Sequence, residues 1–280
     1  MNIAVLMTCH NRRETTLRCL RALADAAKVV EDELERRGGV GQWSLHVFLV
    51  DDGSTDGTGG AVQKWHEGIS SSSTSTFHLH LIRGSGSLYW AKGMRLAWEA
   101  AVERGHDGED AVATKWDGFL WLNDDAVLRP DALSTLLHFY TANKDAVIVG
   151  ELENARGEIV YGKRGALFTG NFVLVTRAVY EKIGMICGEF AHAWADSDYA
   201  LRCKRAGVPV VSCGVVGTSE GHPNRPSLKG AGLGRRWRML WDPKGWCVHD
   251  LWLYRRRNWG VCAAIVSCAH LILHVLKGER

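Results

Sequence analysis

The sequence is poor in the features that define several large classes of protein. It has 5 proline residues in 280 and no long heptad pattern, so neither a collagen nor a coiled coil is expected. A polytopic membrane protein is excluded as well. The 8 cysteines form no Cys-x-x-Cys pair, which argues against a zinc ribbon. With 46% apolar residues and 12 tryptophans, the chain is instead expected to be globular, with one large domain or two small ones.

The cysteines and the first residues indicate a cellular compartment. The cysteines lie inside apolar runs, which is typical of buried free thiols in a reducing environment. The segment MNIAVLMTCHNRR has neither a basic leader region nor a small-residue cleavage site. We therefore interpret it as a first core strand rather than a signal peptide, and we expect a cytoplasmic protein.

Charge is distributed unevenly along the chain. Residues 222–280 contain 11 basic and 3 acidic residues, a net charge of +8, whereas the remainder carries −5. A basic tail favours an anionic partner. The three arginines at 255–257 precede the apolar segment GVCAAIVSCAHLILHVL, so nucleic acid is not expected. Two alternatives stay open: a helix on an anionic membrane surface, peripheral to the inner face of the cell membrane, or a C-terminal core helix.

Apolar segments alternate with helical patterns through the first half of the chain. Strands are predicted at 3–7, 45–50, 77–82 and 118–122, and helices at 12–37, from 58 onward and at 89–104. The second half is less regular, with helices predicted at 130–140, 177–183 and 198–206 and strands at 146–150, 159–161 and 172–175. Because the first four strands are continuously apolar, we predict an α/β fold with a parallel sheet covered on both faces.

Polar residues follow each of the first four predicted strands. In chain order they are Thr8 and Arg12, then Asp51 and Asp52, then Arg83, and finally Asn123, Asp124 and Asp125. Ligands of open parallel sheets bind at the carboxyl ends of the strands, so these residues form a candidate site. The last, acidic group suits a hard divalent cation. A loop cap is the alternative, since Asn and Asp are common in turns.

A second acidic pair opens a predicted helix further along the chain. Asp198 can pair with Arg202 four residues later, which leaves Asp196 as the freer carboxylate and a candidate general base. Capping of the helix is the alternative function of this pair. His222 lies in a loop rich in Gly and Pro, and it is either a further metal ligand or a structural residue.

Together these motifs resemble family 2 of the inverting nucleotide-sugar glycosyltransferases, which have the GT-A fold. The similar segments are VLMTCHNRRETTLRCLRAL, VFLVDDGSTDGT, LIRGSGSLYWAKGMRLAWEAA, FLWLNDDAVLRPDAL, FTGNFVLVTRAVYEKIG and WADSDYALRCKRAG. The resemblance implies a Rossmann-like, mostly parallel central sheet flanked by helices. It divides the chain into a transferase domain at 1–222, with a nucleotide-binding half at 1–125 and an acceptor-binding half at 126–222. A basic, Trp-rich helical extension follows at 223–280.

The resemblance also implies how the donor is held. With Asp51 supporting the loop, the nucleobase and ribose would be bound by Thr8, Arg12, Asp52 and Arg83. The triplet at 123–125 stands where the family has an Asp-x-Asp metal motif, with Asn as its first residue. This leaves Asp125 as the main ligand of Mg²⁺ or Mn²⁺ and Asp124 on the ribose or sugar. His222 would be a further metal ligand.

The catalytic base and the acceptor side follow from the same resemblance. Asp196 falls where the family places its catalytic base, although Ala195 replaces the Glu that usually precedes it. Four residues are expected to line the donor sugar and acceptor sites: Trp90, Gly170, Trp194 and Asp198.

The implied activity is transfer of a hexosyl or deoxyhexosyl group to a hydroxyl of a glycan or lipid-linked acceptor. It would be inverting and metal-dependent and would serve cell-surface polysaccharide biosynthesis, with loose similarity to the bacterial rhamnosyl- and galactofuranosyltransferase-like branch. Two alternatives remain: a catalytically inactive GT-A-like binding subunit, and a sugar-phosphate nucleotidyltransferase. The loop TCHNRRET argues against the second, because it lacks the glycines of those enzymes.

Overall fold

The computed structural model describes residues 1–38, 43–69, 76–106, 116–165, 167–219 and 226–278, which form an α/β fold around a nine-stranded sheet. The strands are β1 (Asn2–Cys9), β2 (Ser44–Asp51), β3 (Phe77–Arg83), β4 (Gly118–Leu122), β5 (Val127–Leu128), β6 (Val147–Glu153), β7 (Ile159–Tyr161), β8 (Lys163–Arg164), β9 (Leu167–Phe168), β10 (Phe172–Thr176) and β11 (Val210–Thr218). The helices are α1 (Arg13–Arg36), α2 (Thr58–Ile69), α3 (Tyr89–His106), α4 (Ala132–Ala142), α5 (Arg177–Ile183), α6 (Ala195–Arg205), α7 (Leu233–Trp241), α8 (Val248–Trp259) and α9 (Val261–Lys277).

The sheet is mostly parallel, as predicted. Its order is β3-β2-β1-β4-β10-β6-β11-β5, with β7 beside β6. The first four strands of the chain run parallel, whereas β10 is antiparallel to both of its neighbours, β4 and β6. In the register of the first three strands, Cys9 lies opposite Asp51, and Asp51 lies opposite Arg83. The carboxyl ends of these strands therefore meet at one level.

Both faces of the sheet are covered, which explains why its central strands are continuously apolar. Every residue of β4 and of β10 is buried. One face packs against α1 and α4 through residues such as Leu20 and Leu133. The other face packs against α3, α5 and α6 around Trp98, Trp121 and Tyr199. The predicted two-sided α/β architecture is confirmed.

The C-terminal extension is helical, and its middle helix belongs to the main core. Leu253 and Tyr254 of α8 are buried in the same apolar cluster as Tyr199 of α6. Asn258 of α8 accepts a hydrogen bond from Arg205 of α6 at 2.7 Å. A turn at Gly260, with φ +87°, leads into α9, which packs along α8. The extension is therefore joined to the rest of the fold through α8.

Three histidine rings cluster on neighbouring strands β2 and β3. The ring centroids of His46 and His78 are 4.3 Å apart, and Nδ1 of His46 lies 3.2 Å from Nε2 of His80. Burial, followed by the neighbouring positive groups, lowers the pKa of His46 to about 3 and that of His80 to about 4. Burial also lowers the pKa of His78 below its ordinary value of 6.5. The folded protein therefore holds these rings neutral.

This cluster should make the protein sensitive to mild acid. Between the lowered pKa values and the ordinary value of 6.5, the unfolded chain binds more protons than the folded one, so stability should fall as pH decreases. His80→Gln should flatten the decline in melting temperature between neutral pH and pH ~5. His138→Gln, at an exposed histidine of α4, is the control and should leave the decline unchanged. Equal slopes for His80→Gln and the wild type would contradict the assignment.

Candidate active site

The polar residues predicted after the first four strands lie together at one edge of the sheet. Backbone hydrogen bonds fix their levels: the amide of Asp52 donates to the carbonyl of Cys9 at 2.9 Å, and that of Gly84 to the carbonyl of Asp51 at 2.8 Å. Asn123 follows directly after β4, the other neighbour of β1. This arrangement is the carboxyl-end crevice in which open α/β sheets bind ligands.

Asp52 organises the loop between β3 and α3. Its carboxylate is buried and accepts three backbone N–H bonds, from Gly86 at 2.7 Å, Leu88 at 2.9 Å and Tyr89 at 3.0 Å. Because α3 begins at Tyr89, the carboxylate caps this helix from another element. A Cβ on Gly53 would lie 2.8 Å from Cα of Gly86, so the two loops approach as closely as glycine permits.

Asp51, Thr8 and Arg83 complete this side of the crevice. The Asp51 carboxylate accepts the amide N–H of Ser54 at 3.0 Å and so shapes its own loop. The Thr8 hydroxyl packs against Gly93 of α3, where a Cβ would approach it within 2.4 Å. Arg83 is exposed at the end of β3. Thr8 and Asp51 are therefore held in place by packing and hydrogen bonding, whereas Arg83 is exposed to solvent.

Arg12 bridges the two carboxylates that follow β4. Its Nη1 donates to Asp124 at 2.8 Å, and its Nη2 lies 3.6 Å from Oδ2 of Asp125. Both carboxylates are buried, and the hydroxyl of Thr16 donates to Asp124 at 3.4 Å. Burial raises the pKa of Asp124 to about 7 and the negative charge of Asp125 adds to this, whereas Arg12 opposes it. The pair is thus a desolvated acidic site that a further cation would stabilise.

Asn123 connects this acidic pair to the opposite side of the crevice. Its Oδ1 accepts the indole N–H of Trp90 at 2.8 Å, and its amide nitrogen donates to Oδ1 of Asn171. The Trp90 ring lies on Gly170, where a Cβ would come within 2.6 Å of it. Both polar atoms of the Asn123 side chain therefore make hydrogen bonds within the protein.

Asp196 lies beside this network, in the first turn of α6. One carboxylate oxygen accepts the N–H of Gly170 at 3.2 Å, and the other accepts that of Ser197 at 2.7 Å. Burial raises the pKa of Asp196 above its ordinary value of 3.8, and these hydrogen bonds oppose the rise. A carboxylate with a raised pKa is a stronger proton acceptor. The chain of contacts through Gly170, Trp90 and Asn123 thus joins Asp196 to the acidic pair.

The segment before Asp196 is held by α8, which sequence reasoning assigned to a tail. Buried Asp250 accepts the backbone N–H groups of residues 191, 192 and 193 at 3.1, 2.9 and 3.0 Å. Trp194 then adopts φ +69° and stacks on Tyr254, with ring centroids 4.7 Å apart. Left-handed backbone at a tryptophan persists when surrounding contacts enforce it. The sequence does offer one sign of Asp250, because acidic residues are rare in this basic, apolar segment.

Asp198 is the second link between α6 and α8. The predicted pair with Arg202 is confirmed at 3.3 Å, and Asp198 also accepts from Arg257 at 3.2 Å and Asn258 at 3.0 Å. The residue is 1% exposed. We therefore propose a structural role for Asp198 in place of the substrate contact expected from the sequence.

The acidic pair fits a divalent cation that shares its coordination with a substrate. Asp124 and Asp125 supply carboxylate oxygens, which Mg²⁺ and Mn²⁺ prefer, and such ions complete their shell with phosphates and water. Within the described ranges, no group of three or more His, Cys, Asp or Glu side chains is placed to hold a metal ion. His222 lies outside those ranges, so its metal ligation stays a prediction.

Comparisons with known proteins show the family and the fold. The model of glycosyl transferase family 2 matches residues 4–199. A mannosyltransferase from Pyrobaculum calidifontis, PcManGT, solved in complex with GDP-Man and Mn²⁺, has TM-score 0.58 and 16% identity over 98% of this chain and 69% of its own.

A second solved structure, TarS from S. aureus, has TM-score 0.58 and 14% identity over 99% of this chain and 43% of its own. TarS 1–349 in complex with UDP-GlcNAc has TM-score 0.56 and 12% identity over 99% and 82%. At these identities the solved structures show a shared fold. A search of curated proteins finds no significant match.

Proposed function

Because the chain belongs to glycosyl transferase family 2, we propose that it transfers a sugar from a nucleoside-diphosphate sugar to an acceptor hydroxyl, with inversion at the anomeric carbon. One observation carries this proposal. Contacts through Gly170, Trp90 and Asn123 join Asp196 to the acidic pair after β4, which supports a proton acceptor close to a cation-binding pair. PcManGT and TarS, which share the fold, were solved with GDP-Man and UDP-GlcNAc, respectively, and this supports a nucleotide-sugar donor.

The donor nucleotide would lie at the carboxyl ends of β1, β2 and β3. Arg83 is exposed there and would contact the nucleotide, and Thr8, which packs against Gly93, would lie beneath it. Asp52 contributes by holding the loop before α3, because its carboxylate already binds three amides. Asp51 supports the adjoining turn. Arg12 would keep the acidic pair from repelling the diphosphate.

The residues after β4 would stabilise the departing phosphate. Asp125 would be the main ligand of Mg²⁺ or Mn²⁺, Asp124 would contact the ribose or sugar, and His222 would be a further ligand. A bound divalent ion supplies positive charge that offsets the negative charge on the departing phosphate. Arg12 supplies a further positive charge beside the acidic pair, because its Nη1 lies 2.8 Å from Oδ1 of Asp124.

Asp196 would act on the acceptor. As the acceptor oxygen bonds to the anomeric carbon, its proton passes to the Asp196 carboxylate, and the bond from that carbon to the phosphate oxygen breaks. Attack from the face opposite the leaving group inverts the anomeric centre. This single displacement needs one base and no covalent enzyme intermediate, and such a base typically contributes about 10²–10⁴-fold.

The acceptor side is proposed from the aromatic groups around the base. Trp90 packs on Gly170, which adjoins Asp196, and Trp194 lies two residues before Asp196. Such rings suit the apolar faces of sugars. We propose a hexosyl or deoxyhexosyl donor group and a glycan or lipid-linked acceptor, in cell-surface polysaccharide synthesis at the inner face of the cell membrane. The rhamnosyl- and galactofuranosyltransferase-like branch remains our assignment from sequence motifs.

Loss of Asp125 should abolish metal-linked nucleotide binding. Wild type should gain roughly 5 °C or more in melting temperature with nucleoside diphosphate and Mn²⁺ at a hundredfold excess over Kd. Asp125→Ala should lose this gain, because the ion loses its main ligand. The measurement is a thermal-shift panel of UDP, dTDP and GDP with and without Mn²⁺. Asp145→Ala, at an exposed acid before β6, is the control and should respond like wild type.

An undiminished Mn²⁺-dependent gain in Asp125→Ala would show that the metal assignment is wrong. Analysis of the products released from a nucleotide sugar and from a nucleoside triphosphate separates the alternative functions. A catalytically inactive binding subunit would bind the diphosphate but release no sugar from the donor. A sugar-phosphate nucleotidyltransferase would release pyrophosphate from a nucleoside triphosphate, and the proposed enzyme would not.

A further inference from the structure

The helices of the C-terminal extension carry most of the exposed apolar side chains found in the described residues. Eight of the eleven large hydrophobic residues that are exposed there lie between 233 and 273. On α7, Leu233, Trp237 and Trp241 follow one another at i, i+4 and i+8, so they form one stripe. Trp237 is 50% exposed, and its ring lies 5.8 Å from that of Trp241. A stripe of exposed apolar side chains on a protein surface indicates an interaction site.

The neighbouring helix α9 is apolar on two sides. Its inner side packs on α7 and α8 through Cys268 and Val275, which are buried. Its outer side exposes Ile265, Val266 and Leu273, with Val266 at 69% exposure. Solvent-facing positions of a helix are usually polar, so this outer side is an unpartnered apolar face.

The two faces belong to adjacent helices. Arg236 of α7 donates to the backbone carbonyl of Leu276 in α9 at 2.9 Å, and the helices share one small core. We name the combined surface the apolar outer face and define it by Leu233, Trp237, Trp241, Ile265, Val266 and Leu273. α8 ties this surface rigidly to the transferase fold through its contacts with α6.

Positive charge is concentrated in the segment that carries the apolar outer face. Residues 226–278 contain nine Lys and Arg residues against two acids, and one of these acids, Asp250, is buried on backbone amides. Arg235 and Arg238 are exposed on α7 beside the tryptophan stripe. At the end of α8, the guanidinium of Arg255 lies over the exposed ring of Trp259 at 5.0 Å. Tryptophan and arginine at the edge of an apolar helix are typical of surfaces that enter the headgroup region of a bilayer.

We propose that the apolar outer face docks on an anionic membrane surface, with α7 and α9 lying in the interface. The described part of the chain has no helix that is long and apolar enough to span a bilayer, so α9 would lie along the membrane. Charge selects this occupant over a second copy of the chain, because a symmetric dimer through this face would bring two strongly basic surfaces together. Anionic lipid supplies both the apolar layer and the opposite charge.

Vesicle binding by the full-length protein tests this proposal without any transfer assay, so it can fail separately from the proposed function. We expect sedimentation with vesicles of phosphatidylcholine and phosphatidylglycerol, little sedimentation with phosphatidylcholine alone, and release at high salt. The double variant Trp237→Ser with Trp241→Ser should bind at least tenfold more weakly. Arg235→Gln with Arg238→Gln should lose about fivefold per arginine.

Matched controls lie elsewhere on the surface. Ile159→Ser with Leu167→Ser removes two exposed apolar residues, and Arg156→Gln with Arg164→Gln removes two exposed charges. Both pairs should bind vesicles like wild type, and all variants should keep the wild-type melting temperature because the positions are exposed. The proposal is overturned if wild type ignores anionic vesicles at low salt. It is also overturned if the tryptophan pair binds undiminished, or if wild type is a dimer that the tryptophan pair splits.

Discussion

Asp196→Asn is expected to slow sugar transfer by about 10²-fold or more while leaving donor binding nearly unchanged. Asn keeps the size of the side chain and an oxygen for the N–H of Gly170, but it cannot take the proton of an attacking hydroxyl. The rate is measured as release of nucleoside diphosphate from the donor whose nucleotide stabilises the protein most. Donor affinity is measured by the accompanying thermal shift.

The split between rate and affinity decides the role of Asp196. A variant that retains most of its transfer rate would show that the base lies elsewhere. A variant that loses donor binding instead would show that Asp196 serves the metal or the donor sugar. Because the carboxylate also accepts the N–H of Ser197, an unchanged melting temperature is needed to exclude a loss of local structure.

Asp198→Asn is expected to destabilise the fold by about 3 kcal/mol, since removing one charge from a buried ion-pair network leaves the others uncompensated. Asp198 is buried against Arg202, Arg257 and Asn258, and it joins α6 to α8. Urea unfolding gives the change in free energy. Glu181→Gln is the control: the exposed Glu181 carboxylate lies 3.8 Å from Arg177 on α5, and the change should cost less than about 1 kcal/mol.

Activity should follow stability in this variant. Under conditions where Asp198→Asn is still folded, its donor binding should be near normal, and its transfer rate should fall only as far as the loop before α6 loosens. Wild-type stability in Asp198→Asn would contradict a structural role and would return Asp198 to the substrate site.

The sequence predicted the regular parts of the fold well, because local patterns encode them. The apolar segment at 118–122 became β4 with the predicted limits, and the helix predicted at 12–37 became α1. The strand β11 was missed. Its segment VVSCGVVGT contains two glycines and shows register shifts against β6 between 212 and 217, so its apolar pattern is broken where the strand bends.

The sequence likewise predicted one part of the candidate site and missed another. Residues that follow strands were predicted to lie together, because parallel strands must align their carboxyl ends, and the structure places them so. The contacts of Asp250 with residues 191–193 and of Tyr254 with Trp194 were not predicted. They join segments distant in the chain and leave no periodic signal, so the extension that holds the loop before Asp196 was interpreted from its composition alone.

The contacts that α8 makes with the loop before Asp196, the proposed base, have a consequence for synthesis of the protein. Chains fold from the N-terminus as they emerge from the ribosome. A nascent chain that ends before α8 would contain all of residues 4–199, which carry the family match, yet lack the carboxylate of Asp250 that holds the loop before Trp194. The chain should thus become active only late in translation, after α8 has been synthesised. Prematurely terminated chains should be inactive rather than weakly active.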